Sequence, residues 1–332
     1  MTTQTTHKIE LQKLLQALQE AHSLIITTHR EPDGDGLGAE AALAEALEQL
    51  GKSVRVINND DVPRRLAFIE RTTMFETYDA SVHDEVIGHA DALVIVDAPH
   101  PARTGRMENV VTCFEGTTVV IDHHPASGWA QIDYVDTTAA AASEIIDDVV
   151  AGLPVTMTAT MAEALYVGIA SDTQCFMTPN TTPDTHRRAA RLLNAGASLE
   201  KIHQALWGSW SEGRLKLQGQ FLQRLQLRAD GRLVYGVITH NDLRRLDQAP
   251  ADMEGLVNQA LTIAGTDMAI LVYESDDETV RLSLRSRNGV LVDELARSFG
   301  GGGHGRAAGA TVLGTLNAVL PVVIAKAERV LN

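Results

Sequence analysis

Between Leu24 and Ile121 the chain alternates short, almost continuous apolar runs with stretches in which Ala, Leu and Glu recur at helical spacing. The runs are Leu24-Ile25-Ile26-Thr27-Thr28, Val54-Arg55-Val56-Ile57, Ala92-Leu93-Val94-Ile95-Val96 and Thr118-Val119-Val120-Ile121. Uninterrupted Val/Ile runs suit strands covered on both faces. They predict an α/β fold with a mostly parallel sheet and helices on both faces. Residues 39–50 predict a helix after the first run. Residues 137–150 and 157–169 predict two more, the former capped at Asp136-Thr137-Thr138. From 185 to 227 the pattern is helical, broken at Gly196 and Gly208 and restarted at Ser211. Asp230-Gly231 then reads as a turn into a strand over 233–239. A helix over 251–264, a strand pair about Asp276-Asp277 and a helix over 291–299 complete a smaller mixed α/β unit.

This pattern divides the chain into a first domain at 1–185, a helical connector at 186–227 and a second domain at 228–332. The length of 332 residues agrees, since domains run to roughly 150 residues each. A composition of 44% hydrophobic and 21% charged residues excludes a disordered or fibrous chain. The start, Met1 to Leu15, lacks the basic and apolar regions of a signal peptide, and no segment reaches the ~20 apolar residues of a membrane span. The 2 cysteines, Cys113 and Cys175, cannot form a disulfide framework. They are expected to be small buried hydrophobes in a cytoplasmic protein with no membrane partner.

Charge narrows the function. With 28 Lys+Arg against 43 Asp+Glu the net charge is −15, which opposes binding to a long duplex, because such binding rests on neutralising many phosphates. A phosphate ligand is compatible only if cations or a few basic groups reverse the field locally.

The polar residues at the strand ends supply a candidate for that reversal. The first run leads into His29, Asp33 and Asp35, the third ends at Asp97, and the fourth ends at Asp122-His123-His124. Asp172 closes the helix ending Gly168-Ile169-Ala170-Ser171. Open parallel sheets bind ligands beyond the carboxyl ends of their strands, so one edge would collect all of these side chains. Read alone, Asp33-Gly34-Asp35-Gly36 is equally a turn, and Asp97 is more readily a loop cap than a ligand. Two histidines directly after Asp122 have little packing use, and the four positions jointly point to metal ligation. Carboxylates with a minority of imidazoles suit Mn²⁺, Mg²⁺ or Fe²⁺. The donors exceed what one ion needs, which implies a pair of divalent ions and phosphoryl-transfer chemistry.

A second feature lies near the other end. Gly300 to Gly303 with His304 and Arg306 reads as a glycine loop able to approach a phosphate. Upstream, Arg281, Arg285 and Arg287 alternate, which predicts one basic strand face. A flexible loop and a solvated strand face are the plainer readings of these two features.

Together these motifs resemble the DHH phosphoesterases: His-x3-Asp-x-Asp, a strand-end Asp, Asp-His-His-Pro, Asp-Thr-x-x-Phe, and a terminal Arg-Ser-Arg with Gly-Gly-Gly-Gly-His and Ala-Ala-Gly, similar to the accessory DHHA1 domain. The resemblance spans nearly the whole chain and is greatest to the stand-alone nanoRNase/pAp-phosphatase branch. It implies one ion held by His29, Asp33 and Asp97, and another by Asp35, Asp97, His123 and Asp172, with Mn²⁺ the first expectation and Mg²⁺, Co²⁺ or Fe²⁺ as substitutes. It further implies that Asp122 orients a histidine, that His124 faces the scissile phosphate, and that Arg285, Gly302, Gly303 and His304 bind the rest of the nucleotide. Arg103 and Arg287 are weaker phosphate-binding candidates. The implied substrates are short oligoribonucleotides or a nucleoside bisphosphate, and the implied assembly is a homodimer. Cyclic dinucleotides, inorganic polyphosphate or a catalytically silent nucleotide sensor are the competing readings. Two departures bear on specificity. Gly38-Ala39 stands where Gly-Ser is frequent, and Asp172-Thr173-Gln174 where Asp-Thr-Gly is common.

Overall fold

The computed structural model describes residues 3–69, 75–208, 210–253 and 255–331. It divides into two compact units, Met1–Ser209 and Trp210–Asn332.

The first unit holds six parallel strands: β1 (Ser23–Thr27), β2 (Ser53–Asn58), β3 (Phe75–Thr77), β4 (Ala92–Val96), β5 (Thr117–Asp122) and β6 (Ile132–Val135), in the order β3-β2-β1-β4-β5-β6. Its helices are α1 (Thr3–Glu20), α2 (Gly34–Gln49), α3 (Ala80–Gly88), α4 (Glu108–Thr112), α5 (Ala142–Gly152), α6 (Ala159–Asp172), α7 (Pro183–Asn194) and α8 (Leu199–His203). The pleat explains the continuous apolar runs. Leu24, Ile26, Val94, Val96, Val119 and Ile121 join a core with α1, α2, α5 and α6, while Ile25, Leu93, Ile95 and Val120 join one with α3 and α4. Both faces of the sheet are therefore covered, as expected of strands without alternation.

The second unit is a six-stranded mixed sheet, in the order β11-β12-β10-β9-β8-β7. The strands are β7 (Gln226–Arg228), β8 (Leu233–Ile238), β9 (Met268–Asp276), β10 (Thr279–Ser286), β11 (Gly302–His304) and β12 (Ala307–Leu313). All pairs are antiparallel except β8 with β9. Helices α9 (Glu212–Gln223), α10 (His240–Arg245) and α11 (Leu256–Leu261) cover one face, and α12 (Asp293–Arg297) and α13 (Leu316–Leu331) the other.

Several expectations need correction. Helix α2 begins at Gly34, five residues before the expected start, because the Asp33 side chain caps it by accepting from Asp35 N and Gly36 N. Helix α5 begins at Ala142; Asp136 instead closes a turn onto Thr138. The helix expected over 251–264 is cut to α11 by Gly255, at φ 80. The unit boundary falls inside the span read as a connector: α7 and α8 belong to the first unit and α9 to the second. Cys113 and Cys175 are both exposed rather than buried. The glycine run is not a flexible loop: Gly302 to His304 form edge strand β11 against Gly309 to Ala307. A Cβ at Gly301 would lie 2.1 Å from the Gly309 carbonyl oxygen, so close backbone packing, rather than flexibility, calls for glycine there. No described helix is long and apolar enough to cross a membrane.

Candidate metal centre

In the first sheet the strand order reverses between β1 and β4, which opens a crevice at their carboxyl ends. His29 follows β1, and Asp97 directly follows β4 in the left-handed region, at φ 53. A non-glycine residue held there costs about 1 kcal/mol, which the surrounding structure must offset. Asp122 ends β5 with His123 and His124 just beyond it, and Asp172 ends α6.

These side chains converge. His29 Nε2 lies 3.4 Å from Asp97 Oδ2 and 3.8 Å from Asp33 Oδ1. His123 Nε2 lies 3.4 Å from both Asp97 Oδ1 and Asp172 Oδ2. Each oxygen of Asp97 thus addresses a different imidazole. Three sets offer donor atoms within 4.8 Å of one another: His29 with Asp33 and Asp97; Asp35 with His123 and Asp172; and Asp97 with Asp122, His123 and His124. Donors about 2.1 Å from a shared ion stand about 3–3.5 Å apart, so these spacings suit ligation better than direct hydrogen bonding. Asp97 Oδ1 is buried and meets the imidazoles of His123 and His124 only at long range, 3.4 and 3.6 Å, which leaves it open to a cation.

The surrounding bonds fix each donor's orientation. His29 Nδ1 lies 2.8 Å from the Arg30 carbonyl oxygen; the oxygen can only accept, so Nδ1 carries a proton and Nε2 faces the carboxylates. Asp122 Oδ1 accepts from His123 N (2.7 Å), His124 N (3.1 Å) and His124 Nδ1 (2.8 Å), so it orients the His124 ring. Asp35 accepts from Ala142 N at 2.6 Å and Ser143 N at 2.9 Å, giving α5 the cap that its own Ala141 does not provide. The positive end of α5 therefore rests on a candidate ligand.

Without an ion the cluster is frustrated electrostatically. Burial and then the Asp97 charge push Asp35 up to about 7, and burial with Asp35 and Asp97 raises Asp172 well above its ordinary value. Burial lowers His123, but the Asp97 hydrogen bond and the Asp35, Asp97 and Asp172 charges outweigh it and raise it to about 10. Asp97 is held well below the usual range: burial opposes this, but bonds to His123 and His29 prevail. Protons therefore sit where a cation would relieve the crowding.

Not every candidate joins this cluster. Arg103 ends a short turn, Pro101–Arg103, and is exposed; its carbonyl accepts from Arg30 N at 2.7 Å, tying the loops after β1 and β4. In the second unit Arg281 and Arg285 share a face of β10, opposite Tyr273 and Ala269. Arg287 continues the alternation onto the same side, where Ile263 packs with Leu271 and Tyr273. It lies past the strand end and donates to the Thr266 and Ile263 carbonyls, 2.8 Å for the latter, which makes it a structural cap. Gly302 and Gly303 pair with Gly309 and Ala308, and the side chain of His304 lies outside the described residues. Sequence reading missed Asn58 and Glu40, which lie behind the site. The available signal was a single acidic residue among Ala39, Ala41 and Ala42 on a helix that is buried nearly all round.

The fold and donor set are those of an α/β protein built to bind divalent metal ions. The chain belongs to the DHH family: the model of the DHH family N-terminal domain matches residues 23–169 and that of the DHHA1 domain residues 231–332. It is 32% identical over 292 residues to the bifunctional oligoribonuclease and PAP phosphatase NrnA of Thermus thermophilus, covering 88% of this chain and 84% of that one. To the Bacillus subtilis protein of the same name it is 26% identical over 308 residues, 90% and 92% of the two chains. The crystal structure of an exopolyphosphatase-related protein from Bacteroides fragilis matches with a TM-score of 0.92 at 25% identity, covering 97% of this chain and 96% of that chain.

Proposed function

We propose that this chain is a metal-dependent phosphoesterase that hydrolyses short oligoribonucleotides to mononucleotides and converts adenosine 3′,5′-bisphosphate (pAp) to AMP. The observation that carries the reading is Asp97, strained and buried, with one oxygen toward His29 and the other toward His123. The NrnA relatives, similar over most of the chain, give the substrate class. His29, Asp33 and Asp97 would hold one divalent ion, and Asp35, Asp97, His123 and Asp172 the other, with Mn²⁺ the first choice for this donor set. Such ions activate water for attack and neutralise charge on phosphate oxygens.

The chain's own groups do the rest. Asp122 fixes the His124 ring, so His124 can donate a proton to a phosphate or leaving oxygen. Arg103, Arg285, Gly302, Gly303 and His304 would recognise the remaining phosphate and base. A net charge of −15 disfavours long polyanions and so supports short substrates. The working form would be a cytoplasmic homodimer.

The test is incubation with Mn²⁺ and pApA, pAp, cyclic di-AMP or tripolyphosphate, with Asp97→Asn as control. AMP release from pApA or pAp, lost in the control, is expected. Turnover of the cyclic compound or tripolyphosphate alone would replace this reading, and nucleotide binding without turnover would make the protein a sensor.

A further inference from the structure

Behind the candidate ligands runs a buried chain of polar side chains. Glu40, Asn58, Thr27 and Thr28 are all buried, none more than 1% exposed. Asn58 Nδ2 donates to Glu40 Oε2 at 2.7 Å, and Thr28 N donates to Asn58 Oδ1 at 3.1 Å. The Thr27 hydroxyl lies 3.3 Å from the same oxygen, and the Thr28 hydroxyl donates to the Val96 carbonyl at 2.8 Å. The chain thus links α2, the end of β2, the residue before His29 and the residue before Asp97.

The direction of every bond is forced. The Thr28 amide can only donate, so Asn58 must turn its oxygen toward it and its NH₂ toward Glu40, which can accept. The β1–β2 register runs only from Ser23–Ser53 to Ile26–Val56, so the Asn58 side chain serves Thr28 where the backbone ladder has stopped. Burying a carboxyl group costs stability unless it is satisfied, and Glu40 Oε1 has no hydrogen-bond partner. An apolar residue would pack among these alanines at less cost. What Glu40 adds is a fixed amide, and through it a fixed peptide plane ahead of His29 and Asp97.

We infer that Glu40 and Asn58 are positioning residues which, through Thr28, set the His29–Asp97 geometry and with it the affinity for the divalent ion. This rests on the metal-dependent reading above. Groups bonded directly to metal ligands alter metal affinity about 10- to 100-fold when lost, and Glu40 and Asn58, acting through Thr28, fall at the lower end of that range.

The test compares Mn²⁺ dissociation constants, by calorimetry, for the full-length wild type, Glu40→Ala and Glu40→Gln, each checked for folding by circular dichroism. Burial pushes Glu40 up to about 8, so Gln matches its charge as well as its shape at neutral pH. Glu40→Ala should weaken Mn²⁺ binding about 10-fold while Glu40→Gln stays close to wild type. Should Glu40→Ala not fold, Thr28→Val, which removes only the tie to Val96, carries the same expected loss. Unchanged Mn²⁺ affinity in a folded Glu40→Ala or Thr28→Val protein overturns the inference, as does a Gln variant as weak as Ala. A wild type that binds no Mn²⁺ and cleaves neither pApA nor pAp overturns the proposed function along with it; one that binds and cleaves, with unaffected variants, overturns the inference alone.

Discussion

Helix α2 carries Asp35 and helix α6 carries Asp172, and they cross at Gly38. A Cβ built at Gly38 would lie 2.4 Å from the Ala164 carbonyl oxygen and 3.2 Å from Gly168 N. Both atoms are backbone, so no rotamer change can make room. Reaching an ordinary contact of 3.4 Å requires the helices to part by 3.4 − 2.4 = 1.0 Å. Overpacking of this kind costs about 3 kcal/mol at its upper end, and alanine's better helix propensity returns about 1, leaving a net loss of about 2 kcal/mol. For a unit of this size that lowers the melting temperature by about 4–8 °C. The functional cost should exceed the stability cost, because a displacement of about 1 Å between ligands can reduce a rate about 100-fold. Gly38→Ala should therefore melt early, bind Mn²⁺ more weakly and turn over pApA about 100-fold more slowly at saturating Mn²⁺. Gly88→Ala, with nothing within 4 Å of the added carbon, serves as control and should melt no lower than wild type. A Gly38→Ala protein that melts with wild type and keeps its metal affinity would refute the close crossing as the determinant of the Asp35–Asp172 spacing.

Four further outcomes follow from particular contacts. Gln174, Cys175 and Phe176 are consecutively left-handed, with Gln174 at φ 47, so Gln174→Gly should stabilise the protein by about 1 kcal/mol in a urea titration. Arg287→Ala should lower thermal stability by freeing two carbonyls while leaving KM for pAp unchanged, whereas Arg285→Ala should raise KM at constant stability. With His123 raised to about 10 and Asp35 to about 7, an ion must displace protons at neutral pH. Mn²⁺ affinity should thus climb between pH 6.5 and 8.5, by about tenfold per pH unit for each proton displaced, and the calorimetric heat should vary with the ionisation enthalpy of the buffer. In the second unit Asp242 is depressed from 3.8 to about 2; burial opposes the shift, but Arg224 and Thr239 outweigh it. Its folded pKa lies below the unfolded one, so its contribution is complete above pH 4 and is lost as pH falls toward 2. Circular dichroism of Asp242→Asn should show that acid loss flattened.

What could be read from sequence and what could not divide along the range of the interactions. Strands β1, β2, β4 and β5 were legible because burial on both faces demands an apolar side chain at nearly every position, a constraint each segment carries alone. The strand ends followed, and with them His29, Asp97 and Asp122-His123-His124, since the parallel sheet itself sends those ends to one edge. Strands β6 and β12 and helix α13 were not placed. Ala307 to Gly309 lack the β-branched signature, and Pro321 interrupts α13 amid valines that suit a strand equally well. The start of α5 shows most clearly where local reading stops. Asp136-Thr137-Thr138 is a sound cap by its own chemistry, yet the helix begins at Ala142 because Asp35 arrives from a distant segment to accept from its first amides. Asp33 repeats the theme within one segment: it caps α2 and also points an oxygen at His29. Both carboxylates therefore serve the fold and the candidate site at once. A turn reading and a ligand reading of Asp33-Gly34-Asp35-Gly36 were never alternatives, since the cap brings these carboxylates to the crevice where an ion would be held.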